Sequence, residues 1–284
     1  MQKIVVTGSS GRIGGAIVCA LKPAYDVIGI DRVAAPTTTH IADISETDIL
    51  HRCCQGAVAV VHVAALHAPH TEIFSDAEFH RINVQSTLAL AQAALEQGVQ
   101  RFLFTSTTAL YGCANTLADK AAWITEQTKP QPRTIYHRSK LEAEERLAPF
   151  ANDHFKVRVL RMSRCFPEEP ALMAAYRLHR GIDKRDVAAA HLAALSDAGG
   201  SFERFILSGK TPFHPEDVEE LKVDAPAVIT RRAPAIVELF QSHGWTLPRS
   251  INRVYDPAYA KQVLNWQTRW DSFDITPAPS LTDV

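Results

Sequence analysis

The chain has 284 residues, with 30 Lys and Arg against 31 Asp and Glu for a formal net charge of −1, and with 46 % hydrophobic and 21 % charged residues. That composition excludes disordered, collagenous and fibrous classes and leaves room for one large α/β domain with a full core. A charge near zero gives no long-range pull toward nucleic acid or an anionic membrane, so neither is expected as a partner.

Residues 1–7 hold one Lys and a short apolar run, too brief for a secretory leader. The longest apolar stretch, 58–66, is interrupted by His62 and reaches only strand length. The five cysteines (Cys19, Cys53, Cys54, Cys113 and Cys165) are scattered, with no C-x-x-C pair. They read as a reduced thiol set in a cytoplasmic protein, and no metal site has ligand spacing. In chain order, the spacing predicts a buried strand over 3–7, a helix over 14–21 stopped by Pro23, and strands over 26–30 and 57–63. A single long helix over 76–97, with Phe79, Ile82, Leu88, Leu90, Ala94 and Leu95 at helical spacing, closes on Gly98. A strand over 101–105, a charge-rich helix over 136–147 and a strand over 157–160 follow. Short strands with continuous apolar character, alternating with helices, predict an α/β fold built on a doubly wound parallel sheet.

Beyond residue 165 prolines cluster and the rhythm is lost: short helices over 183–196 and 234–243 alternate with irregular segments, and 275–284 reads as a loose tail. The sheet is therefore expected over 1–165, Rossmann-type, followed by a smaller mixed C-terminal substrate lobe over 166–284 that interleaves with it.

The chemistry starts at Thr7-Gly8-Ser9-Ser10-Gly11-Arg12-Ile13-Gly14, which leaves a strand and opens a helix. Its three glycines suit a tight turn, a backbone approach to a diphosphate and close helix–strand packing. The helix N-terminus supplies N–H groups to the same anion. A ligand-free βα turn is the plain alternative, but Asp31, about 20 residues on at the end of the next strand, stands where a ribose hydroxyl would be read. Its carboxylate favours NAD over NADP, while Arg12 and Arg32 keep NADP open, since a guanidinium can meet a 2′-phosphate. Asp43 and Ile44 are candidates for the adenine. Tyr136 and Lys140 sit four apart at a helix start, hence on one face. An ammonium there would lower the phenol's pKa and fit it for proton exchange with an alcohol or carbonyl. Chance helical spacing is the bland reading of that pair. Several hydroxyls, Ser106 and Thr107 among them, follow the strand over 101–105, at the edge that faces a ligand crevice.

Together the loop over 7–14, His62-Val63-Ala64-Ala65, Asn83, Ser106-Thr107 with Tyr111-Gly112, and Pro132-x-x-x-Tyr136-x-x-Ser139-Lys140 resemble the extended short-chain dehydrogenase/reductases of the NAD-dependent epimerase/dehydratase group. The likeness runs in order over about 3–195, with weaker echoes at Asp186-Val187-Ala188, Arg253–Asp256 and Leu264-Asn265-Trp266. It implies Tyr136 as acid/base, Lys140 as its partner, both also touching the cofactor with Lys140 on the nicotinamide ribose, and Thr107 as the third catalytic group with Ser106 in reserve. It implies Gly8, Ser10, Gly11 and Gly14 around the diphosphate with Arg12 and Ile13 beside them, and Asp31 and Arg32 at the adenosine ribose. Asp43 and Ile44 would hold the adenine, Ala64 and Ala65 the cofactor wall, and Asn83, behind the catalytic centre, completes the cofactor set. It also implies a homodimer through the helices over 76–97 and 136–147.

Two departures narrow the reaction. Dehydratases of the group carry Asp-Glu after the catalytic threonine; here the pair is Thr108-Ala109, so no carboxylate stands ready to eliminate water. The segment over 161–170 is similar to shorter sugar and uronate dehydrogenases, although their Asn-His is missing at 108–109. Candidate contacts to a small-molecule substrate are His67, Thr108, Arg164 and Arg177, with His70, His179 and Arg180 near them; solvated surface is the ordinary role of such residues. The expected activity is hydride transfer between a nicotinamide cofactor and a secondary alcohol or carbonyl of a small sugar-like or anionic substrate. A nucleotide-sugar epimerase with tightly held NAD and a non-catalytic dinucleotide-binding regulator are the alternatives. The small second lobe favours the first.

Overall fold

The computed structural model describes residues 1–275, so all but the first residue of the expected tail lies outside the described residues. The chain opens with β1 (Lys3–Thr7), whose Ile4, Val5 and Val6 have no exposed surface and so belong at the middle of a sheet. Then come α1 (Arg12–Leu21), β2 (Asp26–Asp31), β3 (His40–Ile41), α2 (Thr47–Cys54) and β4 (Ala57–His62). Next are α3 (Asp76–His80), α4 (Ser86–Glu96), β5 (Arg101–Thr107), β6 (Ala122–Ile124), α5 (Ile135–Leu147) and β7 (Lys156–Met162). The chain continues through α6 (Pro170–Arg177), α7 (Lys184–Ala193), β8 (Phe202–Leu207), α8 (Val218–Val223), α9 (Ala225–Arg232) and α10 (Pro234–Ser242). It ends in β9 (Arg253–Tyr255) and α11 (Ala258–Val263).

Seven strands form one parallel sheet in the order β3-β2-β1-β4-β5-β7-β8. Strand order reverses between β1 and β4, which opens a crevice at their carboxyl ends. Side chains alternate across each strand, so each helical layer meets its own set. Ile4, Val6, Val61 and Leu103 pack with Ile17 and Val18 of α1 and Val187 of α7. Val5, Val60, Phe102 and Phe104 pack with Leu50 of α2, Leu90 of α4 and Leu147 of α5.

The long helix expected over 76–97 is broken. A π-turn at Arg81–Gln85 separates α3 from α4. The wider turn carries Asn83, whose amide reaches out of the helix to the Leu66 backbone, and such single π-turns recur at functional sites. Gly98 does close the element, at φ 72°.

Residues 166–275 build two bodies. β8 adds to the sheet beside β7, and the alanine-rich face of α7 lies over α1. α6, α8, α9 and α10, with the small parallel pair β6–β9, enclose a separate core around Leu178, Phe213, Leu221, Ile229, Phe240 and Val254.

β7 carries a charge at its centre: Arg158 is fully buried. Its Nε donates to Asp197 at 2.8 Å and its Nη2 to the Gly199 carbonyl at 3.2 Å, while Arg101 donates to the same carboxylate at 2.9 Å. Partial burial raises the Asp197 pKa, and the arginines and the Gly199 N–H more than offset it, so the carboxyl stays below its usual range. Removing one partner strands a buried charge, so Asp197→Ala should cost about 3–5 kcal/mol of stability in urea denaturation. Adding Arg158→Met should restore a large part of it, because the stranded charge is then gone. A loss under about 1 kcal/mol for the single change would contradict a buried pair.

Candidate active site

A cavity of about 750 Å³ lies along the carboxyl ends of the central strands. At one end the glycine loop presses against β4. Gly8 has φ 71°, and a Cβ there would stand 2.7 Å from the Ala64 nitrogen; a Cβ on Gly14 would stand 1.9 Å from the Gly8 carbonyl oxygen. No larger residue fits either place, and the surface left is bare backbone. The N-cap of α1 is Gly11, which has no side chain to cap it, so the helix's first N–H groups are not taken by a cap.

Asp31 ends β2 at the cavity wall, its carboxylate held by the Ser10 N–H at 3.0 Å and the Val33 N–H at 3.1 Å. Arg32 is exposed and stands 3.9 Å from Asp43. Burial works against ionised Asp43, but hydrogen bonds from Ser45 and the charge of Arg32 more than offset it and hold its carboxyl below the usual range. Arg12, Ile13, Ile44, Ala64 and Ala65 also line this end. Arg12 turns its Nε to the Cys165 carbonyl at 3.1 Å. A bare-backbone cradle, an uncapped helix start and a carboxylate fixed at the edge of the same loop fit a dinucleotide cofactor.

At the middle of the cavity Thr134 caps α5 by accepting from the His137 N–H, which places Tyr136 in the first turn. Burial raises the phenol's pKa, and the Thr107 hydroxyl beside it pulls the other way. Lys140 is 2 % exposed. Its ammonium donates to the Thr105 carbonyl at 2.6 Å and lies 3.8 Å from the Phe104 ring centroid. Burial lowers its pKa to about 7 against the opposing charge of Glu144. The expectation that this ammonium depresses the phenol's pKa is thus not met in this structure: the charge is directed at a backbone carbonyl.

Two further expectations are corrected. Ser106, expected as a reserve hydroxyl, lines the cavity but its hydroxyl is already committed. It donates to buried Glu144, which also takes Arg161 Nη2 at 2.6 Å, and Arg161 donates onward to the Tyr111 hydroxyl at 2.8 Å. Asn83, expected in the cofactor set, does not line the cavity. It is 1 % exposed, exchanges two 2.8 Å hydrogen bonds with the Leu66 backbone and donates to Ser139 Oγ at 3.0 Å.

Behind the cavity His62 lies between Thr7 and Thr87, at 2.6 and 2.8 Å. Thr7 Oγ1 already accepts from the Val63 and Ala64 N–H groups, so its own proton goes to His62 Nδ1. Burial pushes the imidazole down to about 3, so it is neutral and donates through Nε2.

The far end is walled in part by His67, Thr108, Ser163, Arg164, Arg180 and Tyr255. His67 and His70 stack edge to face at 4.4 Å, and burial lowers both. Arg164 pairs with Glu168. Arg177, expected to meet substrate, is corrected: it lies outside this cavity, buried, donating to Asp183 and to the Asp271 carbonyl, both at 2.6 Å. Ser163 and Tyr255 were not foreseen. Ser163 follows the crevice strand as Arg164 does, a signal already in use. Tyr255 arrives on β9 and hydrogen-bonds the Thr108 carbonyl at 3.2 Å, which no local pattern announces.

The model of the family described as "NAD dependent epimerase/dehydratase family" matches residues 4–176. The UDP-glucose 4-epimerase of Erwinia amylovora is 31 % identical over 181 residues, covering 56 % of this chain and 52 % of that one. The NAD-dependent glucose-6-phosphate dehydrogenase of Haloferax volcanii is 28 % identical over 178 residues, covering 56 % and 66 %. The matched stretches therefore span about half to two thirds of these relatives' length. Among solved structures, a short-chain dehydrogenase/reductase superfamily protein of Agrobacterium tumefaciens with bound NAD superposes with a TM-score of 0.71 at 18 % identity, over 96 % of this chain and 94 % of that one, a likeness of fold. With the family model matched over more than half of its residues, the chain belongs to the NAD dependent epimerase/dehydratase family, whose cofactor is NAD.

Proposed function

We propose that the chain is an NAD-dependent oxidoreductase that transfers a hydride between the cofactor and a secondary alcohol or carbonyl of a small polar substrate. One observation carries the reading. One cavity is lined by Asp31, Tyr136 and the far-end residues together, and among the described residues none from 181 to 254 lines it. The helices α8, α9 and α10 thus offer no wall to grip a nucleotide handle while a sugar turns. A small substrate that binds, reacts and leaves suits such a site.

Gly8, Ser10, Gly11 and Gly14 would carry the diphosphate, with Arg12 and Ile13 beside it. Asp31 would accept from the adenosine ribose with Arg32 near it, Asp43 and Ile44 would flank the adenine, and Ala64 and Ala65 would face the cofactor's flat side. Bound there, NAD supplies the hydride acceptor, and its reduced form the donor. Tyr136 takes the proton from the substrate hydroxyl, or returns it to the carbonyl oxygen, at its phenol oxygen. Thr107 hydrogen-bonds the same substrate oxygen and keeps it beside the phenol. Lys140, held on the Thr105 carbonyl in this structure, would reach a ribose hydroxyl of the cofactor. His67 and Thr108 would meet the substrate's other polar groups, and Arg164 its outer edge.

Epimerisation is the second reading, favoured by the likeness to UDP-glucose 4-epimerases in sequence. It uses the same three groups but returns the hydride to the opposite face before release. A screen of polyols, aldoses, acidic sugars and UDP-sugars separates the two. Net formation of reduced nicotinamide is expected with a free small substrate; isomer exchange of a UDP-sugar with no net reduction would replace the reading by epimerisation.

Tyr136→Phe should lower kcat by about 10²–10⁴-fold, the usual weight of a positioned acid/base, while NAD affinity measured by calorimetry stays the same. Unchanged biological activity in that variant would mean that binding, not catalysis, is the task. Asp31→Ala should narrow the preference for NAD over NADP by about tenfold or more in kcat/KM, since one charge-assisted bond to the ribose is lost and a repulsion relieved. An unchanged ratio would place the discrimination elsewhere.

A further inference from the structure

At or near the far end of the cavity stand several cationic side chains, and most of them are already committed to partners. Arg177 is committed to Asp183 and the Asp271 carbonyl, and Arg164 to Glu168. His179 meets the Arg253 carbonyl at 2.8 Å, and burial keeps it neutral. Arg180 differs. It lines the cavity, and among the described residues no carboxylate stands within ion-pair distance of it. Its Nε is buried with no hydrogen-bond partner. Its guanidinium lies over the Tyr176 ring, 4.1 Å from the centroid, which fixes the plane of the fork.

The backbone beneath it is fixed as well. The Arg180 N–H donates to the Tyr176 carbonyl at 2.7 Å, and its carbonyl accepts from the Arg164 N–H at 3.0 Å. Beside this, on the same cavity wall, Ser163 is 3 % exposed and its hydroxyl also has no partner. The carboxylates that line the cavity, Asp31 and Asp43, both belong to its opposite, adenosine end. Two buried polar groups without partners in one wall are costly unless a ligand satisfies them. A guanidinium and a hydroxyl, with no acid facing them, match an oxyanion: the fork donates to two oxygens and the serine to one.

We propose that Arg180 and Ser163 form an anion subsite, so that the substrate carries a carboxylate or phosphate group and is a small sugar acid or sugar phosphate, not a neutral sugar. This rests on the oxidoreductase reading for the identity of the reaction, but the subsite can be tested by binding alone.

The test is calorimetric titration of the NAD-loaded protein with glucose, glucuronate, glucose 6-phosphate and UDP-glucose. Glucuronate or glucose 6-phosphate should bind at least about 30-fold more tightly than glucose, the range of a charge-assisted pair, and which of the two binds names the anion. Arg180→Gln should weaken that binding about 100-fold, Arg180→Lys about tenfold because charge remains without the fork, and Ser163→Ala about fivefold. NAD affinity should be unchanged in all three, which shows that they are folded. Glucose binding as tightly as the anions, anion binding unaltered in Arg180→Gln, or no binding by any of the three anions would each overturn the subsite. Arg180-dependent binding of UDP-glucose alone would keep an anion subsite but overturn the small-substrate assignment. Arg180-dependent anion binding without hydride transfer would overturn the oxidoreductase reading and leave the subsite standing.

Discussion

The site depends on a polar chain, largely buried, that ties the glycine loop to the start of α5. Thr7, the last residue of β1, receives the first two N–H groups after β4 and gives its proton to His62. His62 donates to Thr87, and Thr87 to the Asn83 carbonyl at 2.8 Å. The Asn83 side chain then holds the Leu66 backbone and Ser139, and Ser139 donates to the Tyr136 carbonyl at 3.0 Å. The inner links, from Thr7 through His62, Thr87 and Asn83 to Ser139, are buried, so each has a large penalty for being left unpaired and a narrow choice of geometry. The glycine loop, the wall at Ala64 and the start of α5 are therefore set relative to one another before any ligand arrives.

The close approach of Gly8 to Ala64 follows from the same constraint. β1 and β4 are neighbours at the point where strand order reverses, and their ends must diverge to open a crevice. Thr7 and His62 pin the two strands where they part. The π-turn in the helix after β4 is the local adjustment that lets Asn83 point away from its own helix and into this chain.

Charge is handled differently on the two sides of β7. In the sheet, Arg158 and Arg161 are satisfied by Asp197 and Glu144, each within 3 Å. At the cavity's far end the balance is left open at Arg180, while Arg177 beside it is closed. That contrast separates arginines committed to the fold from one left unpaired at the cavity, although all four lie in one stretch of chain.

Much of this was legible in the sequence, because it depends on neighbours along the chain. Continuous apolar strands, the glycine spacing and the Tyr136–Lys140 face are local patterns, and the parallel sheet, the phosphate cradle and the order of Asp31 and Asp43 along the cavity follow from them. Tertiary structure alone decided the rest: that Arg177 turns to Asp183, that Ser106 is taken by Glu144, that Lys140 points at a carbonyl, that Asn83 serves the backbone, and that Tyr255 closes the cavity from β9. Whether a polar side chain is free or committed depends on groups brought to it from distant parts of the chain, and burial makes that commitment decisive, since an unpaired group in the interior has no water to fall back on.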